Sequence, residues 1–178
     1  MPDILSPAPA IVAQAWHGRD LSIAPTPASL VIHLEGLYRA AGVAPPPRRC
    51  SLLGNGTVLS TGPETCLGLG SGALPGELRQ AFKAAIDVSC TWTAITVDGA
   101  NATAVLRKGC AVDLHSRHFA EGDCAVTGMA SMRVVLWKPG PLPSYGLLVS
   151  RSYAESFWDW LIDAAGEFQL DSTSERKR

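Results

Sequence analysis

Residues 147–168, LLVSRSYAESFWDWLIDAAGEF, constrain the fold more than any other stretch of the chain. They predict a short strand that runs directly into a helix, and Ser152 and Glu155 match the S-x-x-E capping box. At about 100° per residue, apolar side chains fill an arc of roughly 200° on this helix. A helix on one small core needs an apolar stripe of only about 100°. The arc around Leu161 should therefore face the chain's own core, and the surplus apolar surface predicts contact with another chain.

The aromatic side chains of this helix are the candidate contact residues. Trp158 and Trp160 diverge by about 160° around the helix, so one small core is not expected to bury both. Trp is also enriched among the residues that contribute most to binding energy in protein interfaces. We predict that Trp158, Trp160 and Ile162 contact another subunit. Trp160 or Ile162, at the margins of the apolar arc, should be the residues that the partner covers.

Composition excludes several classes of protein. The chain has 178 residues, of which 47% are hydrophobic, and its formal net charge is −1, so no charge pattern predicts a nucleic-acid or membrane partner. No run of 18 apolar residues predicts a spanning helix, and the first residues lack the positive segment of a secretory signal. The five cysteines are interpreted as reduced thiols, and the chain is predicted to be cytoplasmic.

The order of apolar patterns predicts the domain organisation. We expect an extended Pro/Ala-rich arm over 1–28, a first α+β subdomain over 29–86, a second over 87–168 and a disordered tail over 169–178. The predicted strands are 29–34, a hairpin within 57–69, 87–97, 132–138 and 145–149. The predicted helices are 35–41, 75–86, 100–109 and the one that follows Ser152, and residues 110–128 are predicted as a polar loop.

This order predicts an α+β fold made of two small ferredoxin-like halves. Tight turns join the strand pairs, which favours mainly antiparallel sheets, and the helices are expected to pack on one face.

A glycine motif is the first candidate site. Gly68-x-Gly70-x-x-Ala73 follows a strand, with Asp87 downstream, which superficially matches a dinucleotide fingerprint. However, Asp87 begins a strand, whereas the acidic residue of such a fold ends one. We therefore interpret the glycines as a turn.

Four zinc-type ligands form the second candidate site. Cys110, His115, His118 and Cys124 lie within one loop, but their spacing matches none of the paired zinc motifs. A small zinc-dependent hydrolase built on these four residues is the weakest alternative. His33 is interpreted as a core histidine, and no G-x-S-x-G motif is present. We predict no catalytic, cofactor-binding or metal-binding residue in this chain.

Several separated motifs resemble one known family. In order, they are Lys108-Gly109-Cys110, Asp113-Leu114-His115-x-Arg117-x-Phe119, Gly122-x-Cys124-Ala125, Val135-Leu136-Trp137, Leu148-Val149-x-Arg151-Ser152-Tyr153-Ala154, Trp158-x-Trp160-Leu161 and Glu167-Phe168. In that order and spacing the chain resembles the gamma subunit of heterotetrameric sarcosine oxidase. The resemblance is good over residues 87–168 and weaker over 29–86.

The resemblance implies a role within a flavoenzyme complex. Such a complex oxidatively demethylates sarcosine or a related N-methyl amine, forms hydrogen peroxide and transfers the one-carbon unit to tetrahydrofolate. FAD, FMN, NAD, zinc and tetrahydrofolate are implied for the alpha, beta and delta subunits. The gamma chain is implied to be a non-catalytic subunit without a cofactor, related in fold to part of the glycine cleavage T-protein. Arg117 and Arg151 are then the predicted polar anchors of the interface. The alternative is a stand-alone folate-binding, one-carbon protein of the T-protein class.

Overall fold

Two antiparallel sheets make up most of the computed structural model, which describes residues 14–26, 30–37, 46–53, 56–70 and 80–169. The six-stranded sheet has, in spatial order, β1 (Trp16–Gly18), β2 (Leu21–Pro25), β8 (Trp92–Asp98), β11 (Ser144–Ser150), β10 (Met132–Trp137) and β9 (Cys124–Met129). The five-stranded sheet has β4 (Cys50–Leu53), β5 (Gly56–Ser60), β6 (Thr65–Gly70), β3 (Leu30–Leu37) and β7 (Phe82–Asp87). The predicted α+β class with antiparallel sheets is confirmed.

Two α-helices cover one face of the six-stranded sheet. They are α1 (Ala102–Arg107) and α2 (Ala154–Ala165), and single 3₁₀ turns lie at Ser89–Thr91, Arg151–Tyr153 and Gly166–Phe168. The five-stranded sheet packs on the opposite face, so the layers run helices, six-stranded sheet, five-stranded sheet. The predicted placement of helices on one face is confirmed for the part of the chain that the structure describes.

The sequence of β11 has a continuous apolar run in which polar and apolar residues do not alternate. Leu147 and Val149 belong to the cluster beneath the helices, whereas Leu148 belongs to the cluster between the sheets. Because successive side chains of a strand point to opposite faces, a strand that is buried on both faces needs a continuous apolar run. We call these two clusters the helix-side core and the inter-sheet core.

A backbone junction joins the two sheets at one edge. Arg49 and Asp123 form an isolated antiparallel bridge, and the Arg49 guanidinium lies 2.5 Å from the Asp123 carboxylate. On either side of the bridge the Cys50 N–H donates to the Gly122 carbonyl at 2.7 Å, and the Cys124 N–H donates to the Arg48 carbonyl at 2.8 Å. The sheets are therefore held together by hydrogen bonds as well as by apolar packing.

The predicted N-terminal arm is corrected over residues 16–25. These residues form the β1–β2 hairpin, and β2 pairs with β8 inside the six-stranded sheet. Leu21 and Ile23 are buried and alternate with the partly exposed Ser22 and Ala24, which is the pattern of a strand with one buried face. Residues 1–13 and 27–28 of the predicted arm lie outside the described residues.

Two predicted helices are corrected where the structure describes them. Strand β7 covers residues 82–87, which include the end of the predicted helix 75–86. Strand β3 includes residues 35–37 of the predicted helix 35–41. These two segments pair with each other, as Glu35 does with Ala84. The long-range pairing therefore overrides a short helical apolar pattern. Residues 75–79 and 38–41 of these predictions lie outside the described residues.

Smaller corrections concern element ends. Residues 124–128 of the predicted polar loop belong to β9, and the predicted strand 87–97 begins only at Trp92, after a 3₁₀ turn. The hairpin within 57–69 and the strands over 132–138 and 145–149 are confirmed. The predicted tail lies outside the described residues except for Gln169.

The capping box is also corrected. A 3₁₀ turn over Arg151–Tyr153 precedes α2, so the N-cap is Tyr153, and no side chain caps the helix. Ser152 lies within the turn, where its hydroxyl is 3.1 Å from the hydroxyl of Ser150. The extra turn moves the helix start beyond the position from which Ser152 would reach the free N–H groups.

Candidate subunit interface

The buried face of α2 is the face that the sequence predicts. Ala154, Phe157, Leu161 and Ala165 each have 0% of their surface exposed and belong to the helix-side core. Their spacing of three or four residues aligns them along one side of the helix. The prediction that the arc around Leu161 faces the chain's own core is confirmed.

Trp158 lies on the core side of this helix as well. Only 8% of its surface is exposed, and it packs within the helix-side core. So little free surface leaves Trp158 only a small area for the predicted contact with another subunit, which stays a prediction. The helix-side core reaches both margins of the arc around Leu161, so the buried face of α2 is wider than that of a helix on a flat surface.

Trp160 and Ile162 occupy the two margins of the buried arc. Both are half-buried and pack on the edge of the helix-side core. The Trp160 ring lies against the backbone that follows α1: a Cβ added at Gly109 would be 2.5 Å from its Cζ2 atom. Its centroid is 5.6 Å from that of Phe157. Each residue thus has a fixed inner edge and an outer edge that is open to a partner.

The end of α2 is held by one lysine. The Lys108 ammonium lies 2.7 Å from the Glu167 carboxylate, donates a hydrogen bond to the Ala164 carbonyl and sits 5.8 Å from the centre of the Phe168 ring. A cation at a helix C-terminus satisfies a free carbonyl and interacts favourably with the helix dipole. This contact fixes the orientation of α2 relative to α1.

Sequence reasoning did not single out the most exposed aromatic residue next to α2. Tyr153, at its N-cap, has 56% of its surface exposed. The capping-box interpretation placed Tyr153 inside the helix, and only the 3₁₀ turn turns it outward. Leu52, Ile86 and Leu142 are the other large apolar side chains described as exposed, at 69%, 54% and 73%.

The two predicted polar anchors lie on different segments. Arg117 is exposed on a loop whose neighbours Leu114 and Phe119 are buried. Within that loop the Arg117 N–H donates to Nδ1 of His115 at 3.2 Å, so the backbone beneath the guanidinium is fixed. Arg151 is half-buried and opens the 3₁₀ turn before α2.

The four zinc-type ligands do not converge. Cys110 packs on the helix-side core, whereas Cys124 is buried in the inter-sheet core, so the two thiols lie on opposite faces of the six-stranded sheet. His115 and His118 are both exposed, with ring centroids 6.3 Å apart. Across the described ranges, no three His, Cys, Asp or Glu side chains are grouped so that they could hold a metal ion.

The other candidate sites have structural roles. Gly68 lies in the interior of β6, where it pairs with Ile32 on one side and Val58 on the other, so it is not at a phosphate-binding turn. His33 lies in β3, half-buried between Leu67 and Ile86 of the neighbouring strands. No helix in the described part of the chain is long and apolar enough to cross a membrane.

Burial raises the pKa of two thiols in the folded chain. Burial raises the pKa of Cys124 from its ordinary value of 9.0 to about 12, and nearby Cys50 and Cys66 add to the increase. Burial likewise raises the pKa of Cys66 to about 11. Since the thiolate is the nucleophile, these residues act as small apolar groups of the core.

These pKa values predict a loss of stability at alkaline pH. Above pH 9 the Cys124 thiol ionises in the unfolded chain but stays protonated in the folded chain up to about pH 12. The unfolded state then binds fewer protons, so the free energy of unfolding falls as pH rises, by up to about 1.4 kcal/mol per pH unit for each such thiol. Urea unfolding between pH 9 and about pH 12 should show that the free energy of unfolding falls less steeply with pH for Cys124→Ala than for the wild type. Cys90→Ala, at an exposed thiol, is the control, and equal slopes for all three chains would contradict the prediction.

The architecture defines the class of protein. The chain is an α+β protein with two stacked antiparallel sheets and with helices on one of the two sheets. The same fold occurs in a heterotetrameric sarcosine oxidase from Corynebacterium sp. U-96, solved in complex with pyrrole 2-carboxylate. The TM-score is 0.74 at 24% identity, over 92% of this chain and 91% of that chain. The glycine cleavage system aminomethyltransferase T from Bartonella henselae is also similar, with a TM-score of 0.57 at 14% identity. That match covers 82% of this chain and 46% of the aminomethyltransferase.

The particular family follows from the sequence. The model of the sarcosine oxidase gamma subunit family matches residues 70–167, and the chain belongs to this family. It is 37% identical over 95 residues to sarcosine oxidase subunit gamma of Corynebacterium sp. (strain U-96), covering 53% of this chain and 46% of that protein. It is also 37% identical over 118 residues to the corresponding Arthrobacter sp. protein, covering 62% and 57%. The chain thus matches about half the length of these curated relatives.

Proposed function

We propose that this chain is the non-catalytic gamma subunit of a heterotetrameric, sarcosine-oxidase-like flavoenzyme in the cytoplasm. The complex would oxidatively demethylate sarcosine or a related N-methyl amine, form hydrogen peroxide and pass the one-carbon unit to tetrahydrofolate. Its alpha, beta and delta subunits would hold FAD, FMN, NAD, zinc and the folate. The observation that carries this proposal is the family match over residues 70–167.

The surface of α2 supports a role in assembly. Trp160 and Ile162 are half-buried at the two margins of its core face, and Tyr153 is exposed beside its first turn. Large permanent interfaces are apolar at their centre, with aromatic residues enriched and charged residues depleted. We therefore propose that this strip, together with Arg117 and Arg151 as polar contacts, faces another subunit. The carboxylates Glu155, Asp159 and Asp163 on the outer side of α2 would remain in solvent.

Co-expression tests the proposal. The tagged full-length chain, produced with the other subunits of its oxidase, should copurify in stoichiometric amount with a flavin-containing complex that releases hydrogen peroxide from sarcosine. The reason is that a chain with surplus apolar surface is stabilised by its partners. Assembly of an active, complete oxidase without this chain would contradict the proposal.

Folate binding distinguishes the alternative. A stand-alone one-carbon protein of the T-protein class would bind reduced folate without partners. The isolated full chain is expected to show no saturable binding in a calorimetric titration with a reduced folate. Saturable binding at micromolar concentration would favour the stand-alone function over the subunit role.

A further inference from the structure

Lys138 is a buried cation at the end of β10. Only 9% of its surface is exposed, and it is the one charged residue among the described residues that is buried to this extent. Its backbone is fixed on both sides, since its N–H donates to the Asp123 carbonyl at 3.0 Å and its carbonyl accepts from the Gly122 N–H at 2.8 Å. The position of its side chain is therefore set by the sheet and by the junction between the sheets.

One aromatic ring lies beside the end of the Lys138 side chain. Its ammonium lies 6.0 Å from the centre of the Tyr145 ring, and the Tyr145 and Phe119 rings stack with centroids 6.5 Å apart. The Tyr145 hydroxyl is 2.8 Å from the Thr103 hydroxyl and is already paired. At 6.0 Å a cation–π contact is at the outer limit of its range, so the ring compensates only weakly for lost hydration.

Lys138 has no carboxylate partner within the described ranges. Asp123, the acid nearest to it along the chain, is already paired with Arg49. No fully buried side-chain nitrogen or oxygen of the described residues lacks a partner, so the ammonium of Lys138 still reaches solvent through its remaining exposed fraction. Most of the Lys138 side chain is therefore buried, while its charged end reaches the surface.

Such a cation is suited to one kind of partner. An ammonium at the end of a buried stem loses less side-chain freedom on pairing with a carboxylate than one on a fully exposed lysine does, and a charge-assisted hydrogen bond between the two groups is strong.

We propose that Lys138 is the anchoring cation for a carboxylate side chain of the adjacent subunit, which pairs with its ammonium when the complex assembles. This inference rests on the proposed role as a gamma subunit and adds to it the chemistry of one contact point. It also gives a reason why a mostly buried lysine beside the Tyr145 ring has no carboxylate partner among the described residues.

Replacing Lys138 by methionine tests the inference, because methionine keeps an unbranched apolar stem but removes the charge. For the isolated full chain, the urea midpoint of Lys138→Met should equal or exceed that of the wild type. For the complete complex, the dissociation constant between this chain and the other subunits should rise at least tenfold. Lys83→Met, at an exposed lysine of β7, is the matched control and should change neither quantity.

Each other outcome overturns the inference. If Lys138→Met assembles at wild-type affinity, the lysine makes no contribution to the interface and its ammonium is only hydrated. A fall in both the urea midpoint and the assembly would assign Lys138 to the folding of this chain. Inorganic phosphate that protects the wild type but not the variant would indicate a small anion as the ligand. Failure of the wild type itself to assemble would instead refute the proposed function, and the inference with it.

Discussion

Replacing Gly146 by alanine is expected to destabilise the chain by about 3 kcal/mol, as severe overpacking of a core does. Gly146 is the direct cross-strand partner of Trp137, and a Cβ at this position would lie 2.0 Å from Cζ2 of that ring. The ring is 8% exposed and packed in the inter-sheet core, so it has no free space into which it could move. Urea unfolding of the isolated chain measures the loss.

A second strand glycine provides the control for this prediction. Gly128 lies in β9, and a Cβ there would meet no atom within 4 Å, so Gly128→Ala should leave stability nearly unchanged. Combining Gly146→Ala with Trp137→Leu should cost less than the sum of the two single changes, because the smaller side chain removes the collision. If Gly146→Ala were as stable as Gly128→Ala, the Trp137 ring would not limit the space available for a side chain at residue 146.

Replacing Leu161 by alanine is expected to cost about 3 kcal/mol, whereas Ile162→Ala should cost only ~1 kcal/mol. Leu161 is fully buried in the helix-side core, and its neighbour Ile162 is half-buried at the margin. In the assembled complex the order of effects on affinity should be reversed. Ile162→Ala should weaken association about tenfold, which corresponds to the apolar area that a partner would cover.

The Leu161→Ala and Ile162→Ala chains are compared under conditions in which the same fraction of each chain is folded. Association of each variant is measured by titration at a temperature where both isolated chains remain folded by circular dichroism. Asp159→Ala, on the exposed side of α2, is the control and should leave both stability and association unchanged. If Ile162→Ala binds the other subunits as tightly as the Asp159 variant does, α2 does not present this margin to a partner.

The core face of α2 could be predicted from sequence because it depends on local geometry. Leu161, Phe157 and Ala165 recur at helical spacing, and that spacing alone places them on one side. The burial of Trp158 could not be predicted, because it depends on the packing of the helix-side core, which joins segments far apart in the chain. The position of α2 in that core is fixed in part by the Lys108 contacts with Ala164 and Glu167.

The predicted interface shows the same difference between features set by local spacing and features set by tertiary packing. Sequence reasoning correctly placed Trp160 and Ile162 at the margins of the apolar arc, and their contact with another subunit stays a prediction. It missed exposed Tyr153, because the signal that turns it outward is a 3₁₀ turn in place of the expected capping box. It also did not single out Lys138, whose position at the end of an apolar strand gives no sign that its side chain will be buried beside the Tyr145 ring.

By itself the sequence determined the α+β class, the continuous apolar strands of the six-stranded sheet, the core side of α2 and the motifs of the gamma subunit family. These features follow from the spacing of side chains along one segment. Only the tertiary structure decided that residues 82–87 form a strand, that residues 16–25 join the six-stranded sheet and that Cys110 and Cys124 lie on opposite faces of it. Each of these depends on pairing between segments far apart in the chain. Such pairing contributes more free energy than the weak local preference of a short segment.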